Sequence, residues 1–193
     1  MLARNLAPDD PAIRARIAAF LDTELGAGGA ILVAQAGDLL AVAGDLGRSA
    51  AGYALWHNGI ERFDELRRQH LVPRPPYGQG VAAALGGAQA MTDVSDGLLA
   101  DLGHIATASG VLIDLSAAAL QADVDAVAAA AAAVGADPLS LVLAGGEDHA
   151  LAACFPGPVP GGWRVIGAVR QGEPGVLVDG DEPSGPVGWQ SFD

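Results

Sequence analysis

The segment Met91–Ser109 places an apolar run, a short acidic turn and an amphipathic pattern directly after one another. The apolar run ends at Asp93, and a turn that contains Ser95 and Asp96 follows it. From Leu98 onward apolar residues recur at helical spacing, so the segment predicts a strand that leads directly into a helix. Either Ser95 or Asp96 suits the N-cap, because each side chain can accept a hydrogen bond from a first-turn N–H group.

The two carboxylates at this junction have two interpretations. Capping of the helix explains an aspartate at position 96. Asp93 is harder to explain in this way, because it ends an apolar segment, where an ionised carboxylate is costly unless it is paired or metal-bound. Two carboxylates and a hydroxyl beside a helix N-terminus can hold a divalent metal and a phosphate. On the residues alone, both interpretations stay open.

Length and composition restrict the class of protein. The chain has 193 residues, which suffices for one compact domain, or for one domain with an appended segment. Hydrophobic residues make up 51% and aromatic residues only 5%, so the core is expected to consist mostly of Ala, Val, Leu and Ile. The formal net charge of −13 argues against non-specific binding to nucleic acid or to an anionic membrane.

Cysteine content and hydropathy indicate the compartment. The single cysteine, Cys154, excludes a disulfide within the chain and is expected to be a buried small hydrophobe. No convincing targeting signal is present, and the alanine-rich stretch Ala126–Val134 is too short to span a membrane. We therefore expect a cytoplasmic protein.

Apolar periodicity predicts strands that alternate with helices from about residue 38 onward, which favours an α/β or α+β fold. A further helix is predicted from Ile13 to Leu25. Residues 30–44 predict either a hairpin or one strand with an extended lead-in. Helices are predicted over 48–58, 60–71, 78–85, 98–109, 122–134 and 139–144, and strands over 89–94, 111–115, 150–155, 163–169 and 175–178.

A second acidic cluster, Gly145–His149 (GGEDH), lies directly before the apolar run Ala150–Phe155. Its two glycines allow close backbone approach. The cluster is either a polar loop or a second candidate site. The turn Gly44–Gly47 (GDLG) precedes a predicted helix, and its backbone N–H groups can cradle a phosphate, although plain turn formation is the simpler interpretation.

Several segments together resemble one enzyme family. AMTDVSDGLLADLGHIATASG resembles the opening of the C-terminal domain of the thiamine-monophosphate kinase family, and LAGGEDHAL resembles its GGEDYEL-type motif. GDLLAVAGDLGRSAAGYAL, RRQHLVPRPPY and GWQSFD are similar to further segments of that domain. The resemblance runs from about Gly37 to the C-terminus. It implies an α/β (α+β) fold, with a mixed sheet covered by helices, of the aminoimidazole-ribonucleotide-synthetase-like type.

The resemblance also implies an activity, the ATP- and Mg²⁺-dependent phosphorylation of thiamine monophosphate to thiamine diphosphate. Carried over by position, Asp93 and Asp96 are magnesium ligands and Ser95 contacts ATP. Glu147 and Trp189 contact thiamine monophosphate. No catalytic side chain is required, because phosphoryl transfer depends on positioning and on neutralisation of the phosphates by metal.

The chain also departs from the family pattern. Residues 1–36 do not resemble the family's N-terminal domain, which carries further metal sites, so we expect a divergent helical segment over 1–36 and the kinase C-terminal domain over 37–193. His149 and Ala150 replace the usual aromatic and glutamate. Three hypotheses follow: a truncated kinase that is inactive alone, a non-catalytic domain that binds Mg²⁺ and nucleotide, or a partner subunit that completes another chain. The expected protein partner is a second copy or the missing N-terminal domain.

Overall fold

A computed structural model describes residues 33–188 of the chain. Within this part, the chain forms six strands, six α-helices and a 3₁₀ helix. The strands are β1 (Leu39–Ala43), β2 (Ala90–Val94), β3 (Leu112–Leu115), β4 (Ala150–Phe155), β5 (Arg164–Arg170) and β6 (Gly175–Val178). The α-helices are α1 (Arg48–His57), α2 (Asp64–Leu71), α3 (Gln79–Leu85), α4 (Leu98–Ser109), α5 (Gln121–Val134) and α6 (Pro138–Ala144), and a 3₁₀ helix (Ala117–Leu120) leads into α5.

The strands form one sheet in the order β2-β4-β1-β5-β3-β6. Neighbouring strands are antiparallel except β3 and β6, which are parallel. The sheet is therefore mixed, as the resemblance implied. Strand β4 lies between β2 and β1, so it joins the strand before the first acidic motif to the strand before the GDLG turn.

The two faces of the sheet bury cores of different size. The larger core contains Leu40 and Val42 of β1 together with side chains from α1, α4, α5 and α6. The smaller core, on the other face, contains Ala41, Ala43 and Phe155 with a contribution from α3. The alternation along β1 follows from the period of two residues in a strand.

The predicted elements agree with the structure in type and differ at their ends. Residues 30–44 contribute one strand, β1, rather than a hairpin within the described part. Helix α2 begins at Asp64 rather than near Ile60, because Phe63 has a left-handed φ of 67° that ends any helical continuation from the preceding turn. Cys154 is free and buried, as expected. The helix predicted from Ile13 to Leu25 lies outside the described residues, and the boundary between residues 36 and 37 stays a prediction.

One helical segment is longer than its sequence pattern suggested. The 3₁₀ helix and α5 together form Ala117–Val134, 18 residues with a mean hydropathy of 1.4, long and apolar enough to cross a membrane by length and composition. The alanine-rich stretch Ala126–Val134 is therefore the second half of a longer apolar helical segment. Val127 and Ala131 of the segment are nonetheless buried in the protein, and its buried Asp123 accepts a hydrogen bond from Arg164 at 2.8 Å. Core helices of globular domains pass the same test.

Candidate functional site

The two acidic motifs, far apart in sequence, meet beside the β2–β4 pair. Val94 at the end of β2 lies opposite Ala150 at the start of β4. Beyond this pair, the His149 N–H donates to the Val94 carbonyl at 2.9 Å and the Glu147 N–H donates to the Ser95 carbonyl at 2.7 Å. The first loop (residues 95–97) and the second loop (residues 145–149) therefore form one continuous backbone-bonded surface.

Asp101 holds the first loop in place. Its Oδ2 accepts hydrogen bonds from the N–H groups of Ser95, Asp96 and Gly97 at 2.9, 3.0 and 3.2 Å. Burial raises the pKa of the Asp101 carboxyl above its usual value, although the three N–H groups act in the opposite direction. The prediction that Ser95 or Asp96 caps α4 was wrong, because Gly97 is the N-cap residue and Asp101, in the first turn, accepts the N–H groups before the helix.

Asp93 and Asp96 are exposed. The argument that an ionised Asp93 is costly at the end of an apolar segment was wrong, because β2 is an edge strand and Asp93 is exposed. Among residues 33–188, no hydrogen bond or ion pair engages either carboxylate. Asp101 accepts the N–H groups of the first loop, so the loop backbone does not need the Asp93 or Asp96 carboxylate as an acceptor. Both carboxylates are therefore available to a ligand.

The donor chemistry of Asp93 and Asp96 suits a hard cation such as Mg²⁺. Over the described part of the chain, however, no group of three or more His, Cys, Asp or Glu side chains is placed to hold a metal ion. Asp93 and Asp96 by themselves would supply at most part of a magnesium coordination sphere. Water, phosphate oxygens or residues outside this part would have to supply the other positions.

Asp148 fixes the second loop to the N-terminus of α1. Its side chain is buried, and its two carboxylate oxygens accept from the N–H groups of Gly47 and Ser49 at 2.5 and 3.0 Å. The Leu46 N–H donates to Asp123 at 3.2 Å. Because these internal carboxylates accept from the Leu46 and Gly47 N–H groups of the GDLG turn, those two donors are not available to a phosphate.

The burial of Asp148 alters its protonation. Desolvation raises the pKa of this carboxyl to about 7, although the Ser49 and Gly47 N–H groups favour the charged form. The neighbouring carboxylates of Asp123 and Asp45 contribute to this raised pKa. Asp148 therefore changes its charge near neutral pH, unlike an ordinary aspartate.

Glu147 and His149 have unusual backbone conformations. Their φ angles of 65° and 53° lie in the left-handed region, which non-glycine residues rarely adopt. The exposed Glu147 carboxylate lies 3.1 Å from His149 Nε2. Such conformations persist where surrounding contacts impose them, and they occur often at functional sites. The geometry presents Glu147 to solvent beside the first loop.

The C-terminal end of the described part reaches the first loop. A Cβ added to Gly188 would lie 2.8 Å from the Asp96 carbonyl oxygen and 2.8 Å from Ala100 Cβ. Trp189 follows Gly188 in the chain but lies outside the described residues. Its predicted contact with thiamine monophosphate therefore stays a prediction.

Sequence reasoning missed the two supporting aspartates. Asp101 follows Leu98, Leu99 and Ala100, so an acid in an otherwise apolar first turn was the available signal. Asp148 was included in the second cluster, but the sequence did not separate its structural role from the exposed position of Glu147. Both roles depend on tertiary contacts.

The sequence of this domain matches a known protein family. A family model described as AIR synthase related protein, C-terminal domain, matches residues 35–175. The chain belongs to this family. The match includes the first and second loops and the GDLG turn, so all three features belong to the AIR synthase related domain.

Several proteins of similar sequence are named thiamine-monophosphate kinase. The chain is 72% identical over 159 residues to a thiamine-monophosphate kinase of Mycobacterium tuberculosis, covering 82% of this chain and 48% of that protein. It is 40% identical over 166 residues to the thiamine-monophosphate kinase of Corynebacterium glutamicum, covering 82% and 50%. The solved structure described as AaThiL complexed with AMPPCP and TMP aligns with a TM-score of 0.65 at 31% identity, covering 82% of this chain and 52% of that chain. The chain thus spans about half the length of the relatives it matches.

Proposed function

We propose that this chain acts in the ATP-dependent phosphorylation of thiamine monophosphate to thiamine diphosphate, as the C-terminal domain of a thiamine-monophosphate kinase. The observation that carries the proposal is the meeting of the first and second loops, which presents exposed carboxylates on one surface. The similarity to a kinase structure complexed with AMPPCP, an ATP analogue, and TMP supports this substrate pair. The named relatives, at up to 72% identity, support the same reaction.

We assign the residues of the two loops to different ligands. Asp93 and Asp96 would hold Mg²⁺, which neutralises the phosphates of the nucleotide. The Ser95 hydroxyl would contact ATP, and Glu147 with Trp189 would contact thiamine monophosphate. A phosphate oxygen of thiamine monophosphate attacks the γ-phosphorus of ATP, so that ADP leaves and thiamine diphosphate forms. The chain's own residues bind and orient the two phosphates, which is the main protein contribution in phosphoryl transfer.

The isolated chain is proposed to bind ligands without turnover. Two carboxylates fill only part of a magnesium coordination sphere, and the relatives are about twice as long as the matched region. We propose that a further domain or a partner chain supplies the other ligands. A non-catalytic domain binding nucleotide and Mg²⁺ is the second candidate, because the exposed Asp93 and Asp96 would be sufficient for weak binding. A cytoplasmic location and a homodimer stay predictions.

The test measures binding and turnover separately. Titration calorimetry with Mg²⁺ and AMPPCP is compared between the 193-residue chain and Asp93→Asn, with Asp125→Asn as the control, because Asp125 is an exposed acid on α5. We expect weaker Mg²⁺-dependent binding in Asp93→Asn and unchanged binding in the control. A coupled assay with ATP, Mg²⁺ and thiamine monophosphate then measures turnover, alone and with a co-expressed N-terminal domain of a relative.

The outcomes separate the hypotheses. Turnover only with the added domain supports a kinase completed by another domain. Binding without turnover in either mixture supports the non-catalytic domain. Equal nucleotide binding by wild type and Asp93→Asn contradicts the assignment of Asp93.

A further inference from the structure

We propose that Asp148 is a positioning residue for Glu147: its buried carboxylate anchors the second loop to the N-terminus of α1 and thereby fixes where Glu147 meets its ligand. The inference rests on the proposed role of Glu147 as a contact for thiamine monophosphate. It adds a function for a side chain that touches neither substrate nor metal.

The second loop is fixed from two sides. On one side the Asp148 carboxylate accepts from the Gly47 and Ser49 N–H groups. On the other side the Glu147 N–H donates to the Ser95 carbonyl at 2.7 Å. Glu147 lies between these attachments at a φ of 65°, a conformation that an unrestrained glutamate rarely adopts. Release of either attachment would let the Glu147 backbone relax.

The anchor point on α1 is itself rigid. A Cβ added to Gly47 would lie 2.9 Å from Val142 Cγ2 and 3.0 Å from the Val142 backbone, so α1 begins in close contact with α6. A Cβ on Gly145, directly after α6, would contact the Leu141 carbonyl and would lie 2.5 Å from Ala50 Cβ. The second loop therefore leaves α6 and returns to α1 through tightly packed backbone.

A carboxylate suits this anchor better than an amide. The N-terminus of a helix carries a partial positive charge, and each Asp148 oxygen accepts one N–H group. An asparagine at 148 has one acceptor oxygen, and its NH₂ group would face the second N–H donor. Asp148→Asn therefore removes one attachment at nearly constant side-chain volume.

The charged and titratable groups around Asp148 come from each element that packs near it. Asp123 on α5 lies 2.8 Å from Arg164 of β5, and Asp45 lies 3.5 Å from Arg48. On α2, His70 Nδ1 lies 3.0 Å from Ser49 Oγ. The set comprises Asp45, Arg48, His70, Asp123, Glu147, His149 and Arg164. Burial, with Asp123 and Asp45, raises the pKa of Asp148 to about 7, so acidification below neutrality weakens the anchor.

The first experiment is a double-mutant cycle on the full chain. Affinity for thiamine monophosphate is measured by calorimetry at pH 8 for wild type, Asp148→Asn, Glu147→Gln and the double variant. We expect Asp148→Asn to weaken binding on the order of tenfold, and the double variant to lose little more than Glu147→Gln alone. The proposal would be overturned if the fold-loss of affinity in the double variant equals the product of the two single fold-losses, or if Asp148→Asn binds as tightly as wild type.

A matched control separates positioning from loss of stability. Asp137 caps α6 by accepting the Ser140 N–H at 2.8 Å, and it is exposed. Asp137→Asn removes a charged cap from a neighbouring element without touching the second loop, and we expect unchanged affinity. If Asp148→Asn does not fold, Asp148→Ser serves instead, because a shorter side chain with a single oxygen cannot reach both the Gly47 and Ser49 N–H groups as the two carboxylate oxygens do.

A second readout needs no ligand. The amide resonances of Gly47, which donates to Asp148, and of Glu147 are followed by two-dimensional NMR from pH 5.5 to 8.5. All labelled chains carry His149→Gln, so that the imidazole beside Glu147 does not contribute. We expect both amides to titrate near pH 7 in this background and with Asp137→Asn added, and to lose that transition with Asp148→Asn added. If the wild-type chain does not bind thiamine monophosphate but both amides titrate near pH 7, the proposed function fails while the anchoring stands. A transition that is absent in the His149→Gln background or retained after Asp148→Asn overturns the anchoring.

Discussion

Acidic side chains in this domain divide between two tasks according to burial. Asp101, Asp123 and Asp148 are buried, accept backbone N–H groups, and have pKa values raised chiefly by desolvation. Asp93 and Asp96 are exposed and have no protein partner among residues 33–188. The buried acids thus hold the loops, and the exposed acids remain available to a ligand.

Removal of Asp101 tests the first half of this division. Asp101→Ala leaves three N–H groups of the first loop without their acceptor, so we expect the free energy of unfolding to fall by about 2 kcal/mol. Urea denaturation monitored by circular dichroism measures the change. Asp125→Ala, at an exposed position, should change stability by less than about 0.5 kcal/mol. Equal stability of the two variants would show that the Asp101 contacts contribute nothing.

Asp148 should give stability an unusual dependence on pH. In the unfolded chain its carboxyl ionises with the ordinary aspartate pKa of 3.8, whereas in the folded chain its pKa is about 7. Between these values the folded state binds more protons, so the contribution of Asp148 to stability falls as pH rises and levels off above about 7.

The comparison of wild type with Asp148→Asn isolates this contribution. The difference in unfolding free energy, wild type minus variant, should fall between pH 5 and 8, with a slope of at most about 1.4 kcal/mol per pH unit. Urea denaturation at each pH measures it. A difference that is constant, or that rises with pH, would contradict the raised pKa. As pH rises through 7, the hydrogen bonds of Asp148 to the N-terminus of α1 are thus expected to strengthen, while its contribution to the free energy of unfolding falls.

At the scale of elements, α1 and α2 pack unusually closely. A Cβ added to Gly52 of α1 would collide with the Leu66 carbonyl of α2 and would lie 3.1 Å from His70 Cβ. His70 in turn approaches Ser49 at the start of α1. The spacing of these helices therefore depends on a glycine in the middle of α1.

Gly52→Ala should destabilise the domain by about 2 kcal/mol, because the overlap with backbone outweighs the better helix propensity of alanine. Gly103 on α4 is the matched control, since nothing lies within 4 Å of an added Cβ there. Gly103→Ala should stabilise the domain by up to about 1 kcal/mol. Thermal unfolding of both variants checks the pair, and a stabilised Gly52→Ala would contradict the close packing.

Sequence periodicity identified the type of each described strand and α-helix. Apolar residues repeat every two residues in a strand and every 3.6 residues in a helix, and both repeats can be read from neighbouring residues alone. The delayed start of α2 at Asp64 was not predicted, because it depends on the left-handed backbone at Phe63. The N-cap of α4 was also missed, because the acceptor is Asp101 rather than a residue that precedes the helix. Such ends are set by side-chain contacts that periodicity does not encode.

At the scale of the whole molecule, the order of the strands decides which motifs meet. Apolar patterns alone did not give that order, and the mixed sheet followed only from the resemblance to a family. The exposed acids Asp93, Asp96 and Glu147 were proposed as candidate site residues from sequence motifs, whereas the contacts of Asp101 and Asp148 that hold the two loops emerge only when the chain is folded.

The position of β4 has a consequence for synthesis of the chain. Strands β1 and β2 leave the ribosome early, yet in the sheet each pairs with β4 and not with the other. A nascent chain that ends before Phe155 therefore lacks a complete strand β4, the strand that pairs with both β1 and β2. Newly made polypeptide must therefore include residues 150–155 before the surface formed by the first and second loops can take shape, and ribosome-arrested fragments that end earlier should fail to protect that surface from proteolysis.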